Sequence, residues 1–540
     1  MIPDKVKSPR WTESGQVTML FAMMMSIFLL AFIGFATDYS SFWFERQAVQ
    51  GAADATCQAA AVDLLLYATL TFPTHGNFTP GSTAVSCATS STAAPCMIAK
   101  YNGYDATQTG VTVNMAFPQT ISGFTAPSGV TWPFVTVDIT KQAPTYFSGL
   151  LTRQSTVNVH AAATCGILAA RGSGTVLVLR PYPQITTFTL AAGSTMKIAG
   201  GSSVGIQVDA DSSHATSFGS GAKADLSQGG LNNTGSDFAV TGTQTDPGSS
   251  VYVRGSSGQW LSPDLPELNP FQGVTPPTKP GTNGSGPTGT TGFSGDGCPD
   301  THKCTQFIHG YYASGITVGS SAKPYVTAIF EPGIYYLDGD LTVSNGSTVR
   351  MAIPTGHAAT DGVLFYFNTG KPNITAGDPT HDSVSTMSST YLTCNGNAPP
   401  AFGSVSIPAN LTGNVLVAQC TTDGTWTNDN SGKGSTNGTI RGLLFFINPN
   451  QTTVSASLAG SANTVSVYAG SEYIHTYSST CLTTSTCYQG YLTITGAVAD
   501  GLITWGDIIA DTLTINGAYE TQMLMIGSGT TPTSKIAMIQ

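Results

Sequence analysis

Residues 17–37, VTMLFAMMMSIFLLAFIGFAT, constrain this chain more than any other stretch. No charged residue occurs from Ser14 through Thr37. A helix rises ~1.5 Å per residue, so the run exceeds the ~30 Å hydrocarbon core of a bilayer. Val17, Leu20, Phe28, Leu29, Leu30, Phe32 and Ile33 are the expected anchor, which makes the lipid bilayer the first expected partner. Lys5, Lys7 and Arg10 precede the run, Asp38 and Glu45 follow it, and Arg46 is the first positive charge beyond. The positive-inside bias then puts residues 1–13 in the cytoplasm, 14–37 in the membrane, and the bulk of the chain on the far side. A cleaved secretory signal is the competing reading. The run outlasts an h-region of about 7–15 residues and no clear A-x-A site follows, which favours a retained single-pass anchor.

The pattern stays helical past Asp38. Phe42, Trp43 and Phe44 fall where aromatic rings sit at a membrane interface. Residues 45–68, rich in Ala, Gln and Leu and free of proline, place Ala48, Ala52, Cys57, Ala60 and Leu64 on a weak helical stripe. One helix is expected to cross the membrane and continue outside, its small side chains allowing close packing.

These residues resemble a family. Gly15-Gln16 enters the apolar helix, Asp38-Tyr39 leaves it, and Arg46-Gln47 and Ala52-Ala53-Asp54-Ala55 follow. This order is similar to the N-terminal module of TadE/TadG-like proteins of the Flp (tight adherence) pilus-assembly system, over roughly residues 13–62. The resemblance implies a bacterial inner-membrane protein, periplasmic or extracellular beyond the anchor, with other Tad/Flp assembly components as partners. Leu20 stands five residues after Gly15 where type IV prepilins carry Glu, which sets the chain apart from cleaved prepilins.

Beyond residue 70 strand patterns take over. Val111, Val113, Met115 and Phe117 alternate with polar neighbours, as do Val135, Val137 and Ile139, then Val157, Val159 and Ala161. Residues 38–170 are therefore expected to be a long helix on a small antiparallel sheet. This also resembles the TadE/TadG-like module, with its aromatic loop and Ala-rich last strand.

From Gly174 short apolar strands alternate with Gly, Ser, Asn and Asp turns. Leu341-Thr-Val recurs as Leu492-Thr-Ile and Leu513-Thr-Ile, and Gly362-Val-Leu-Phe-Tyr-Phe-Asn368 as Gly442-Leu-Leu-Phe-Phe-Ile-Asn448. A period near 20 with a short strand and turn per unit predicts a parallel β-helix, with a β-sandwich as the alternative. The run from Pro332 through Val349, opening Pro-Gly-Ile-Tyr, is similar to coils carried behind the pilus module in long TadG-like chains. The fold class is thus mainly β: an N-terminal α+β unit at 38–170, then a repeat region at 171–261 and 300–540. Residues 262–299, rich in Pro, Gly, Ser and Thr, read as a linker or insertion between its halves.

Only 9% of residues are charged, against about 25% in ordinary domains, and the formal charge is −10 with no long basic run. Nucleic acid is excluded as a partner on that ground. Disorder is opposed by the 41% of apolar residues in recurring short runs. Of ten cysteines, eight fall in close pairs, Cys87/Cys96, Cys298/Cys304, Cys394/Cys420 and Cys481/Cys487, and read as disulfides of an oxidising compartment. Cys57 and Cys165 are left over, paired or free.

Reactive motifs are weak. Gly201-Ser-Ser203-Val-Gly205, with Asp209, Asp211 and His214 behind it, matches a nucleophile elbow in letters, but a strand rather than a helix follows. Cys298, His302, Cys304 and His309 lack zinc-finger spacing. Asp338 with Asp340, or Asp500, Asp507 and Asp511 near Trp505, could form an acidic groove for glycan chemistry, and Trp260, Trp426 and Trp505 could stack on sugars. Turn acids are the commoner meaning of such a pattern. The expectation is a structural protein with no catalytic, metal or cofactor site. A tethered polysaccharide-binding or polysaccharide-active β-helix, with surface glycans as ligands, is the alternative.

Overall fold

The computed structural model describes residues 14–68, 78–124, 126, 130–171, 175–180, 186–201, 203–210, 212–230, 233–267, 269–271, 274–288, 304–352, 362–375, 377, 387–388, 410–411, 413–418, 442–460, 464–477, 488–496, 502–517, 520–524 and 532–539. The apolar run and its extension form one helix, α1 (Ser14–Ala68, 55 residues). Its two halves meet different surroundings. The anchor residues Val17, Leu20, Phe28, Leu29, Leu30, Phe32 and Ile33 are exposed. From Val49 on, a stripe of Val49, Ala52, Ala53, Thr56, Cys57, Ala60, Ala61 and Leu64 is buried, at the spacing of one helix face. Ala48, expected on this stripe, is exposed. The 3.6-residue period runs through the pairs 52/53, 56/57 and 60/61, which centres the face one position later.

The stripe packs on a five-stranded antiparallel sheet, as the strand patterns predict. Its order is β1 (Val85–Ser86), β2 (Val111–Ala116), β3 (Phe134–Pro144), β4 (Thr156–Arg171) and then the C-terminal strand Pro532–Ile539. Val113, Met115, Val137, Ile139, Ala161 and Ala163 share the buried core with the helix stripe. Two short helices, α2 (Ala94–Tyr101) and α3 (Ser148–Thr152), complete the unit. The last strand corrects the assignment of all of 300–540 to the repeat region: Pro532–Ile539 pairs with Arg171–Thr164. Strand β4 is 16 residues long; β3 pairs with Thr156–Gly166 on one edge, and the C-terminal strand covers the opposite edge, which would otherwise be open.

The repeat region is a parallel β-helix of three sheets, with eleven, ten and eight strands. Except for Ser285–Thr288, which pairs antiparallel, the strands of these sheets pair in parallel. In the eight-stranded sheet Val318, Val343, Ile374, Leu458, Ile494, Ile515, Leu190 and Phe218 form one register column. Beside it Thr317, Thr342, Asn373, Ser457, Thr493, Thr514, Thr189 and Ser217 form the neighbouring column, which alternation turns to the other face. The internal repeats explain themselves here. Leu492 pairs with Leu513, Phe365 with Phe445, and the corner residues Asp338, Asn368 and Asn448 hydrogen-bond in a ladder at 2.6 and 3.1 Å.

Stacking order departs from chain order. Val176–Val178 lies between Ile508–Ala510 and Val204–Val208. The chain therefore enters mid-stack, winds to one end at Leu261, returns to the other end, and winds back from Cys304 to Leu524. The return is made by the Pro/Gly-rich segment, which works as a strap along the ten-stranded sheet. Gln207 donates to the Leu265 carbonyl at 3.0 Å, Asn269 donates to the Tyr473 hydroxyl at 2.8 Å, and Phe271 packs edge-on against Tyr473. Further along, the Lys279 ammonium lies 3.4 Å from the Tyr311 ring centroid, and the Gly284 amide donates to the Tyr311 carbonyl. Under the strap runs a column of Tyr311, Tyr336, Tyr366, Phe446, Tyr473, Ile509 and Leu177. That sheet is thereby buried on both faces.

Candidate functional site

The residues that set this chain apart lie where α1 leaves the apolar run. Asp38 is buried. Its carboxylate accepts hydrogen bonds from the Tyr146, Phe147 and Ser148 amides at 3.1, 2.9 and 2.6 Å, and from the Ser148 hydroxyl at 2.7 Å. The Ser148 amide foremost, against the opposing effect of burial, holds this carboxyl below its ordinary range. One turn earlier Gly34 is also buried. A Cβ there would lie 2.7 Å from Phe147 Cγ, so only glycine admits the ring. The β3–β4 loop thus grips the helix at two positions four residues apart.

Further along the helix the grip continues. Lys141 pairs with Glu45 at 2.5 Å, and the Tyr104 hydroxyl donates to Glu45 at 3.4 Å. Burial first, with the Glu45 charge, pushes the Tyr104 phenol up to about 12. Gln50 Nε2 donates to Asp54 at 2.7 Å and to the Ala162 carbonyl at 3.2 Å. Cys57 is disulfide-bonded to Cys165, closing 108 residues between α1 and β4.

The other family-motif residues sort by face. Ala52 and Ala53 lie in the core, Arg46 and Gln47 are exposed, and Tyr39 is exposed with its ring 6.3 Å from Phe35. Gly15 and Gln16 lie within the first turn of α1. Cys87 and Cys96 are disulfide-bonded, and Cys304 is buried and disulfide-bonded. Cys298, Cys394, Cys420, Cys481 and Cys487 lie outside the described residues, as do His302, Asp211, Asp500 and Trp426.

The candidate reactive residues are tied into the scaffold. Ser203 precedes the strand Val204–Val208, and its carbonyl accepts from the Asp237 amide. Asp209 is buried, and burial pushes its carboxyl up to about 7 while it accepts from Gln207 and the Glu267 amide of the strap. Asp338 takes the Tyr311 hydroxyl and Asn368 amide, and Asp340 takes the Lys371 amide. Asp511 is fully buried against His475 at 2.6 Å. Trp505, expected as a sugar platform, is 1% exposed, and Trp260 packs 4.7 Å from Phe238. Trp505 is thus closed off in packing, whereas Trp260 is half-buried on the terminal strand of its sheet, against Phe238 and Tyr252. Among the described residues no group of three or more His, Cys, Asp and Glu is placed to hold a metal ion.

Comparison with known families falls on the same stretch. Residues 15–63 match the family model described as "Putative Flp pilus-assembly TadE/G-like". The match takes in the apolar half of α1, Asp38 and nearly all of the buried stripe, and it ends two residues before Leu65. No curated protein and no solved structure matches the chain. Within α1 the most apolar 18-residue window is 6% buried against protein, and it is long and apolar enough to cross a bilayer. The TadE/G-like match and this helix together support a single-pass, membrane-anchored protein related to Flp pilus assembly.

Sequence reading found the anchor, Asp38 and the Ala cluster. It did not single out Gly34 or the grip of residues 146–148 on Asp38, and of the two states left open for Cys57 and Cys165 the structure shows the bonded one. A small residue and an acid spaced i, i+4 at the edge of an apolar helix was the available signal for the first two.

Proposed function

We propose that this protein is a structural component of Flp pilus assembly that holds a β-helix at the outer surface of the bacterial inner membrane, with its N-terminus cytoplasmic. It acts by packing and binding, with no bond chemistry of its own. The observation that carries this reading is the joint, bonded at several points, between the family-matched helix and the β-body. The joint uses the Asp38 grip, the Cys57–Cys165 bond and the chain's own C-terminal strand in the membrane-proximal sheet. Such a joint suits a part that must keep a surface at fixed height above the bilayer. The uncharged Thr/Asn/Ser column from Thr317 to Ser217 is the flat face offered to other assembly components.

The test uses the full chain in cells. External protease added to spheroplasts should cleave beyond residue 40 while a tag at the N-terminus stays protected, and affinity purification should bring down pilus-assembly components. Protection of the β-region in intact spheroplasts would refute the orientation. Purification of the chain free of any such component would refute the role.

A further inference from the structure

We propose that the tip of the β3–β4 hairpin, Tyr146 and Phe147 with α3 behind them, is a second membrane contact that seats the folded unit directly in the lipid interface. This rests on the reading of residues 17–37 as a membrane span. Gly34 lies within that span, and Phe147 packs on it. A side chain in contact with residue 34 shares its depth, so Phe147 reaches the hydrocarbon edge. Asp38, ~6 Å further along the axis, is gripped by the same loop. The loop therefore straddles the boundary between apolar run and water.

Its surface suits that place. Outside α1, eight large hydrophobic residues are exposed among the described residues, and three of them, Tyr146 (61%), Phe147 (49%) and Val157 (38%), stand at this tip. Tyr39, Trp43 and Phe44 on α1 are exposed as well, adding the amphipathic rings that favour headgroup depth. Arg153, exposed at the C-terminal end of α3, is placed to meet anionic headgroups. The loop also takes up the one acid at the edge of the span. With four donors on its carboxylate, Asp38 sits beside hydrocarbon without an open charge. Lipid is the occupant because the tip continues a surface already in lipid.

The test places the photoreactive residue p-benzoylphenylalanine at Tyr146 in the full chain, reconstituted in phosphatidylethanolamine/phosphatidylglycerol vesicles. Phe28, in the span, and Ile308, on the β-helix, serve as comparison positions. Lipid adducts are read by mass spectrometry after irradiation. The expected yield at Tyr146 is comparable to that at Phe28 and on the order of tenfold above that at Ile308. Lipid adducts at Phe28 but none above the Ile308 level at Tyr146 would overturn the proposal alone. Protein–protein adducts at Tyr146 would overturn it in favour of a second copy. Absence of lipid adducts at Phe28 would instead overturn the membrane span on which it rests.

Discussion

Removing the Cys57–Cys165 bond tests the joint between anchor and body most directly. The bond closes 108 residues, and the Cys87–Cys96 bond, spanning nine of them, shortens the free loop to about 100 residues. The chain-entropy relation then gives roughly 4–5 kcal/mol of stabilisation for the membrane-proximal unit, as an upper value. Both cysteines are fully buried, so alanine at each position avoids stranding a polar group. For a unit of about 130 residues the loss corresponds to a fall of roughly 10–20 °C in its melting temperature. The assay is calorimetry of the full chain in detergent, comparing wild type with Cys57→Ala/Cys165→Ala. Hydrogen exchange over residues 49–64 assigns the transition to the helix–sheet core. Faster exchange in that stripe, with the β-helix transition unmoved, is the expected result. A double variant that melts within about 2 °C of wild type, with unchanged exchange at 49–64, would refute the reasoning. It would mean that the Ala stripe alone fixes α1 on the sheet.

Three further outcomes are expected. Glu472 lies in the inner column of the β-helix between Phe445 and Ile508, and burial pushes its carboxyl up to about 8 from an ordinary 4.5. Between those values the folded state holds a proton the unfolded chain has lost, so stability falls as pH rises. Urea unfolding should show wild type losing roughly 3 kcal/mol relative to Glu472→Gln between about pH 5 and about pH 8, and parallel pH curves would contradict this. Asp38→Asn weakens the grip on residues 146–148, and limited proteolysis in detergent should cut this loop faster than in wild type. Because the Asp38 carboxyl is held low, wild-type protection should persist at mildly acidic pH and fail only as pH drops through that lowered value. Phe271→Ala removes the strap's ring from Tyr473 at a cost of roughly 3 kcal/mol, measurable as easier cleavage within 262–288 while the β-helix core stays protected.

Much of the architecture was legible in the residues. The charge-free run from Ser14 to Thr37 determined a membrane-length helix, because no other element hides so many apolar side chains in a row. Period-two alternation determined β2 and β3, and the Leu-Thr-Ile and Leu-Phe-Phe-Ile-Asn repeats determined stacked parallel coils, since identical short strands pair best with their own copies. The acids and tryptophans read as candidate glycan ligands could not be placed, because burial depends on neighbours many coils away in sequence. Only the tertiary structure decided the order of the stack, the partner of Cys57, the strap and the destination of the last strand. Each joins residues separated by tens to hundreds of positions, as Val176 joins Ile508 and Arg171 joins Pro532. Local periodicity specifies what a strand is. Which edge it meets is specified by the whole set of edges left open when the chain has folded.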